Sequence, residues 1–403
     1  MQGPFCFCGE MTRLHLPSHD NILYKYTVLL FIALGNLMLA PPLAPIKGRG
    51  SLTNERSRFE AWRRERVFDD LGEDEPHRQE SGEPQERPRP RTTVWMQQAR
   101  SIISTNQSPD VPFDASINPY QGCEHGCVYC FARPSHAYLG LSPGLDFETR
   151  LFAKKNAAEL LEAELSSKRY VPKIIVLGAN TDPYQPIERE YKITRSILEV
   201  FERYNHPVSI TTKSGIVTRD IDILERMARK NLARVFISVT SLKNDIARTL
   251  EPRASAPARR LAAIRQLADA GIPVGMLMAP IIPAITDSEI EEVIAAAAEA
   301  GASYCAYILL RLPLEVKDLF SEWLQAHFPE RAQHVESLIS QMRGGKAYDA
   351  AFGRRMKGTG IFADLLKNRF QMACARNGIA NERAALRTDL FTRPSKTPQM
   401  DLF

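Results

Sequence analysis

From about residue 115 onward the chain alternates short β-branched runs with amphipathic helical stretches, and no other feature limits its fold as tightly. The runs at 173–178 (KIIVLG), 208–212 (VSITT), 234–240 (RVFISVT), 272–279 (IPVGMLMA) and 304–310 (YCAYILL) read as buried strands. A first strand at 116–120 precedes them. Helices are expected over 153–167, 187–204, 219–230, 258–270 and 287–300, with Asp287 and Ser288 as N-cap residues and Gly271 and Gly301 at C-caps. Strand–helix alternation implies a parallel sheet with right-handed crossovers. Six such units fall short of the eight that close a barrel. The expected fold is therefore α/β, a partial (β/α)6 TIM-type barrel with a helical C-terminal extension, and its chemistry belongs at the carboxyl ends of the strands.

Directly after the first strand come Cys123, Cys127 and Cys130, spaced Cys-x3-Cys-x2-Cys. Three thiolates on one short loop can hold three irons of a four-iron cube, a cluster that usually takes four cysteines. The fourth iron is then left to bind something else. A zinc site completed by His125 or His136 is the alternative. Seven cysteines, an odd number with three clustered on one loop, argue for an intracellular metal site rather than a disulfide framework.

The net charge of +5 permits an anionic partner without requiring one. Residues 28–40 (VLLFIALGNLMLA) form an apolar run shorter than the roughly 20 residues of a membrane span. They read either as an upstream extension before a start at Met38 or as an anchor or leader; stable membrane insertion is not expected, and the location is cytoplasmic. Residues 41–100 are polar and charge-dense, with a Pro-rich end at 83–91, and read as a largely disordered linker. Within that stretch, Lys47 and Arg49 are placed to touch the core. The core domain then runs over 101–313, the helical extension over 314–385 and a flexible tail over 386–403.

The chain resembles the radical S-adenosylmethionine (SAM) enzymes, and within them the spore photoproduct lyase-like, or DNA repair photolyase-like, branch. The cysteine motif with Tyr129 before its last member and the continuation from Phe131 through His136 to Tyr138 carry the resemblance, clearest over 115–312. It implies a [4Fe-4S] cluster on Cys123, Cys127 and Cys130 whose free iron is chelated by SAM. It further implies reductive SAM cleavage to a 5′-deoxyadenosyl radical, fed by an electron donor such as flavodoxin or ferredoxin. By position in the resemblance, Thr181 and Asp182 would meet the SAM amino group, Lys213 and Ser214 its carboxylate or ribose, and Ser238 and Thr240 the ribose. Arg253 would grip an anionic group; Arg259 and Arg260 read as the solvated start of a helix. Strict alternation puts Cys305, Tyr307, Leu309 and Arg311 on one face of the last strand, making Cys305 or Tyr307 the expected hydrogen-atom donor.

The same branch implies a nucleic-acid substrate. Two basic, Gly-punctuated segments, 343–346 and 354–358, could contact phosphates through charge and backbone amides. The C-terminal residues Gln399 to Phe403 (QMDLF) resemble the peptide by which bacterial repair proteins dock on the DNA sliding clamp, with Leu402 and Phe403 as its apolar anchors. A radical SAM enzyme for a small molecule or a protein, and a non-catalytic metal-cluster protein that binds DNA, are the rival readings.

Overall fold

The computed structural model describes residues 44–59, 90–379 and 382–394. The apolar run at 28–40, most of the Pro-rich stretch and the peptide Gln399–Phe403 lie outside the described residues. Among the described residues the strands are β1 (Thr93–Gln97), β2 (Ser104–Thr105), β3 (Ala115–Ile117), β4 (Tyr120–Gln121), β5 (Arg150–Lys154), β6 (Ile175–Leu177), β7 (Val208–Thr212), β8 (Ala233–Ser238), β9 (Val274–Ile281) and β10 (Tyr304–Leu309).

Seven strands form one sheet in the order β10-β9-β8-β7-β6-β3-β2. Every pair from β3 to β10 is parallel, in chain order, and β2 caps the β3 edge antiparallel. The sheet is open between β10 and β2, which is a partial barrel. Its central strands are buried on both faces, as in β8 (ARVFIS) with all six residues inside, because helices cover one face and the other lines the interior. The connecting helices bury apolar stripes such as Ile193, Ile197, Leu198 and Phe201 of helix Ile193–Arg203. Gly271 and Gly301 end their helices with φ of 70° and 98°, a left-handed conformation glycine adopts without a Cβ clash.

Three differences from the sequence reading have local causes. Residues 150–154, read partly as helix, form β5, which pairs with β1 and β4 in a second small sheet. The long helix expected over 187–204 breaks at Lys192, φ 52°, where buried Glu188 accepts from the Thr194 amide and the Tyr120 hydroxyl. Residues 44–59, read as part of a disordered linker, pack against the cysteine loop. Ile46 and Leu52 are buried there, and Gly50 lies so close to Gly126 that an added Cβ would stand 1.8 Å from its carbonyl oxygen.

Helices Val316–His327 and Ala332–Gln341 bring Val316, Phe320, Trp323 and Val335 under the cysteine loop, in one apolar cluster with Cys127, Val128 and Tyr129. Helix Ile361–Arg376 instead packs on helix Ile290–Glu299 at the β10 side of the sheet.

On the far side, His206 is fully buried against Phe201 and accepts at Nε2 from the Tyr170 hydroxyl (2.6 Å) while its Nδ1–H donates to the Pro207 carbonyl (3.0 Å). Burial holds this imidazole down at about 4, against an ordinary 6.5, despite the opposing carbonyl bond. Below pH 6.5 the unfolded chain binds a proton that the folded one refuses, so stability falls between pH 6.5 and 4, by up to about 3 kcal/mol. The difference in urea midpoint between wild type and His206→Asn should therefore shrink as pH drops through that window; a difference independent of pH would refute the assignment.

Candidate active site

The loop carrying Cys123, Cys127 and Cys130 leaves the carboxyl edge of β3 through β4. It is held mainly by Arg133, whose fully buried guanidinium donates to the carbonyls of Cys127 (2.8 Å), Gly126 (3.1 Å), Pro143 (3.0 Å) and Gly144 (3.0 Å) and pairs with Glu148 at 2.5 Å. Glu148, also fully buried, accepts from the Gly50 and Ser51 amides on its far side (3.0 and 2.9 Å). Arg49 extends this knot with a bond to the Glu148 carbonyl at 3.1 Å. Gly126 turns at φ 67°, and a Cβ there would stand 2.7 Å from the Glu148 carboxylate.

All three thiols are free and line one cavity of about 540 Å³ at the carboxyl ends of the parallel strands. Burial pushes the Cys127 thiol up to about 12, offset in part by nearby Lys213. Among the described residues, no three His, Cys, Asp or Glu side chains converge on a single metal-ion position. A lone zinc needs such convergence, whereas a cube spreads its iron corners apart. His136 also points elsewhere, its Nε2 2.9 Å from the Arg150 carbonyl. Three cavity-facing thiols on one loop thus fit a [4Fe-4S] cluster better than zinc.

Asp182, Lys213 and Ser238 join the cysteines around the cavity. Burial alone would raise the Asp182 carboxyl, but His125 (3.3 Å away), the Thr212 hydroxyl (2.6 Å) and the Lys213 amide (2.7 Å) outweigh it and hold it at about 2. Lys213 stands over the Tyr129 ring at 5.9 Å, and among the described residues its ammonium has no ion pair or hydrogen bond. Beside it, Gly178 presents bare backbone at φ 87°; a Cβ there would lie 2.3 Å from the Thr211 carbonyl oxygen.

The other expected contacts are spent elsewhere. Thr181 donates its hydroxyl to the Tyr120 carbonyl (2.7 Å) and does not reach the cavity. Ser214 caps the short helix Gly215–Asp220, accepting from the Ile216 amide (3.2 Å). Thr240 donates to Glu251 (2.7 Å). Ser214→Ala should cost about 1 kcal/mol of stability through the lost cap while leaving SAM affinity unchanged; a matching loss in calorimetric SAM binding would restore it as a contact.

Cys305 and Tyr307 are also not among the residues that line the cavity. Between Tyr307 and Leu309 the register with β9 shifts, because β9 carries the extra residue there: Met278 and Ile281, three apart, face Tyr307 and Leu309, two apart. Before it, Tyr307 packs on Phe370 (ring centroids 4.7 Å apart) and Cys305 meets Cys374, both of helix Ile361–Arg376. After it, Leu309 and Arg311 turn into the cavity. Neither proposed hydrogen-atom donor lines the cavity.

The sequence reading also missed the ion pair beneath the loop. Arg260, expected to be solvated, is buried and pairs with Glu251, which accepts from the Tyr129 hydroxyl as well. Burial opposes its ionisation, yet Arg260 and then Lys213 dominate and hold Glu251 at about 2. Arg253 is committed to Glu124 (2.7 Å). The available signal was positional: Glu251 follows the β8 edge by one short helix, but no spacing marks its partner nine residues on.

An open parallel sheet with a cluster-fitting cysteine loop at the carboxyl edge of its first strand defines a class of cluster-dependent barrel proteins. A family model described as the radical SAM superfamily matches residues 117–297. An uncharacterised protein of Mycobacterium tuberculosis is 33% identical over 230 residues, covering 57% of this chain and 68% of that one. One from Methanocaldococcus jannaschii is 26% identical over 245 residues, covering 61% of this chain and 87% of that one. Among solved structures, a spore photoproduct lyase complexed with dinucleoside spore photoproduct has a TM-score of 0.51 at 18% identity, covering 70% of this chain and 79% of that chain, a likeness of fold. The chain belongs to the radical SAM superfamily, whose members use a [4Fe-4S] cluster and S-adenosylmethionine.

Proposed function

We propose that this radical SAM enzyme acts on nucleic acid, repairing or modifying it. The observation that supports this best is the cavity's cationic far end. There Arg311 and Arg355 line the same space as the cysteines, reached from the basic segments 343–346 and 354–358. The fold likeness to a lyase complexed with a dinucleoside lesion agrees with it. When bound, the reduced cluster supplies one electron that splits SAM into methionine and a 5′-deoxyadenosyl radical, which takes a hydrogen atom from the substrate.

The chain's own residues prepare that event. Cys123, Cys127 and Cys130 hold the cluster, and Arg133 fixes the loop that carries them. Lys213, whose ammonium has no ion pair or hydrogen bond among the described residues, would pair with the SAM carboxylate. Gly178 and Ser238 also line the cavity, where the Gly178 backbone would meet the SAM amino group and Ser238 the ribose. Asp182 acts as a positioning residue, tying the Lys213 amide to the Thr212 hydroxyl. Among the described residues, no helix is long and apolar enough to cross a membrane; we place the enzyme in the cytoplasm, where a flavodoxin or ferredoxin reduces it and the sliding clamp binds Gln399–Phe403.

The test is anaerobic reconstitution with iron and sulfide, reduction in the presence of SAM, and chromatography for 5′-deoxyadenosine. Damaged DNA and RNA oligonucleotides are added and followed for deuterium exchange with labelled SAM. Deoxyadenosine with label passing to or from an oligonucleotide is the expected result. Deoxyadenosine that never exchanges label with any nucleic acid would move the substrate to a small molecule or protein. No deoxyadenosine at all would leave a non-catalytic cluster protein.

A further inference from the structure

Arg311 has an unusual position for an arginine turned into a cavity. Its Nε is buried with no hydrogen-bond partner, Nη1 lies 3.3 Å from the Met356 sulfur, and Nη2 lies 3.4 Å from the Tyr348 hydroxyl. Among the described residues no carboxylate pairs with it. A guanidinium held away from water normally has an anion on its fork, because leaving it unmatched is costly.

Its neighbours do not compensate. Arg343 is buried and spends its donors on the carbonyls of Leu310 (2.6 Å), Leu309, Arg354 and Arg355 (3.0 Å each for the last two). Arg355 is occupied by Asp110 and Ser108. Three guanidinium groups thus gather where Asp110 is paired to one of them, and among the described residues Arg311 has only the neutral Met356 sulfur and Tyr348 hydroxyl on its fork. Ser104, Thr105 and Asn106 line the same end and add neutral donors.

Two aromatic faces flank this end. Phe131, next in chain to Cys130 and 44% exposed, lies under the Arg311 guanidinium at 5.2 Å. Phe352, 59% exposed, lies under Arg355 at 4.5 Å. Cations that track a backbone beside rings that stack bases are the combination that binds single strands without reading sequence.

We propose that this end of the cavity is a phosphate seat for a single-stranded nucleic acid. The Arg311 fork takes one phosphodiester, and Phe131 and Phe352 stack the flanking bases. This rests on the nucleic-acid reading above and adds to it where the strand is gripped and that it is unpaired there. Seating a phosphate at Arg311 places the adjoining sugar or base beside Phe131, one residue from the cluster loop's last cysteine.

The test is fluorescence anisotropy of labelled twelve-residue oligo(dT) and oligo(U), and of the same DNA as a duplex, with the reconstituted full chain across a salt series. Unlabelled inorganic phosphate serves as competitor. Single strands should bind more tightly than the duplex, and millimolar phosphate should compete weakly. Arg311→Gln should weaken single-strand binding about tenfold and reduce the magnitude of the log–log salt slope by about 0.7, the share of one phosphate. Phe352→Ala, on the rim and away from the buried charge, should weaken it about tenfold with the slope unchanged. Arg203→Gln, whose partner is Glu162 on the outer surface, is the control. If wild type binds single strands and both Arg311→Gln and Phe352→Ala match it, the seat is wrong while the nucleic-acid reading stands. If the duplex is preferred and the slope is unmoved by Arg311→Gln, the single-strand assignment is wrong. If wild type shows no salt-dependent binding to any oligonucleotide, the broader reading falls and takes the seat with it.

Discussion

Cys127→Ala will give a folded protein that retains little iron after anaerobic reconstitution and forms no 5′-deoxyadenosine above background. The three sulfurs are the proposed ligand set, and two would not hold a cube against loss to solution. No neighbour substitutes: His125 and Asp182 are the other ligand-type side chains lining that part of the cavity, and they face each other at 3.3 Å. Folding should survive, since the change removes one sulfur from an apolar cluster that keeps Val128, Leu250 and Trp323, a cost of about 1 kcal/mol. Iron content, the visible absorption of the cluster and deoxyadenosine yield are the measurements. Wild-type iron with normal turnover would remove Cys127 from the ligand set. Cys305→Ala, measured in parallel, should match wild type in all three, because its sulfur faces helix Ile361–Arg376 rather than the cavity.

The second large effect is on stability. Arg133→Met leaves Glu148 buried with only the Gly50 and Ser51 amides and strips donors from the carbonyls of Gly126, Cys127, Pro143 and Gly144. Breaking a fully buried pair by removing one partner costs roughly 3–5 kcal/mol, and orphaned carbonyls add to it. We expect the melting temperature to fall by roughly 10 °C and cluster retention to fall with it. The double change Arg133→Met with Glu148→Gln should recover part of the loss, because the unmatched charge is gone. A single variant within about 1 kcal/mol of wild type in urea unfolding would show that the knot does not hold the loop.

How much of this was legible depends on whether the signal is local. The six parallel strands came out of runs such as VSITT and RVFIS because buried parallel strands are β-branched almost throughout. The cysteine loop was legible because its spacing is its chemistry. The roles of Thr181, Ser214 and Thr240 were not, since a short hydroxyl side chain serves a ligand, a cap or a buried acid equally well, and only the fold decides. Arg260 looked like helix-surface charge until the turn after β8 brought Glu251 against it. Arg133 and Glu148 are separated by a loop and a short helix, so nothing in their spacing announces a pair. The segment at 44–59 failed on composition: its polar residues are satisfied by the core, with Ser51 and Ser57 buried, rather than by water.

The extra residue that β9 carries opposite Ile308 has a consequence for how such an enzyme can diversify. It offsets the end of β10 from its neighbour, so that Cys305 and Tyr307 answer to the outer helix while Arg311, just beyond the strand, answers to whatever enters the barrel. Lengthening or shortening the chain by a single residue there would exchange Arg311 for a neighbour at the mouth while the packing of Cys305 and Tyr307 stayed as it is. The last strand behaves as a fixed shank with an interchangeable bit, and descendants of one radical-generating core can be retooled for new targets at that joint.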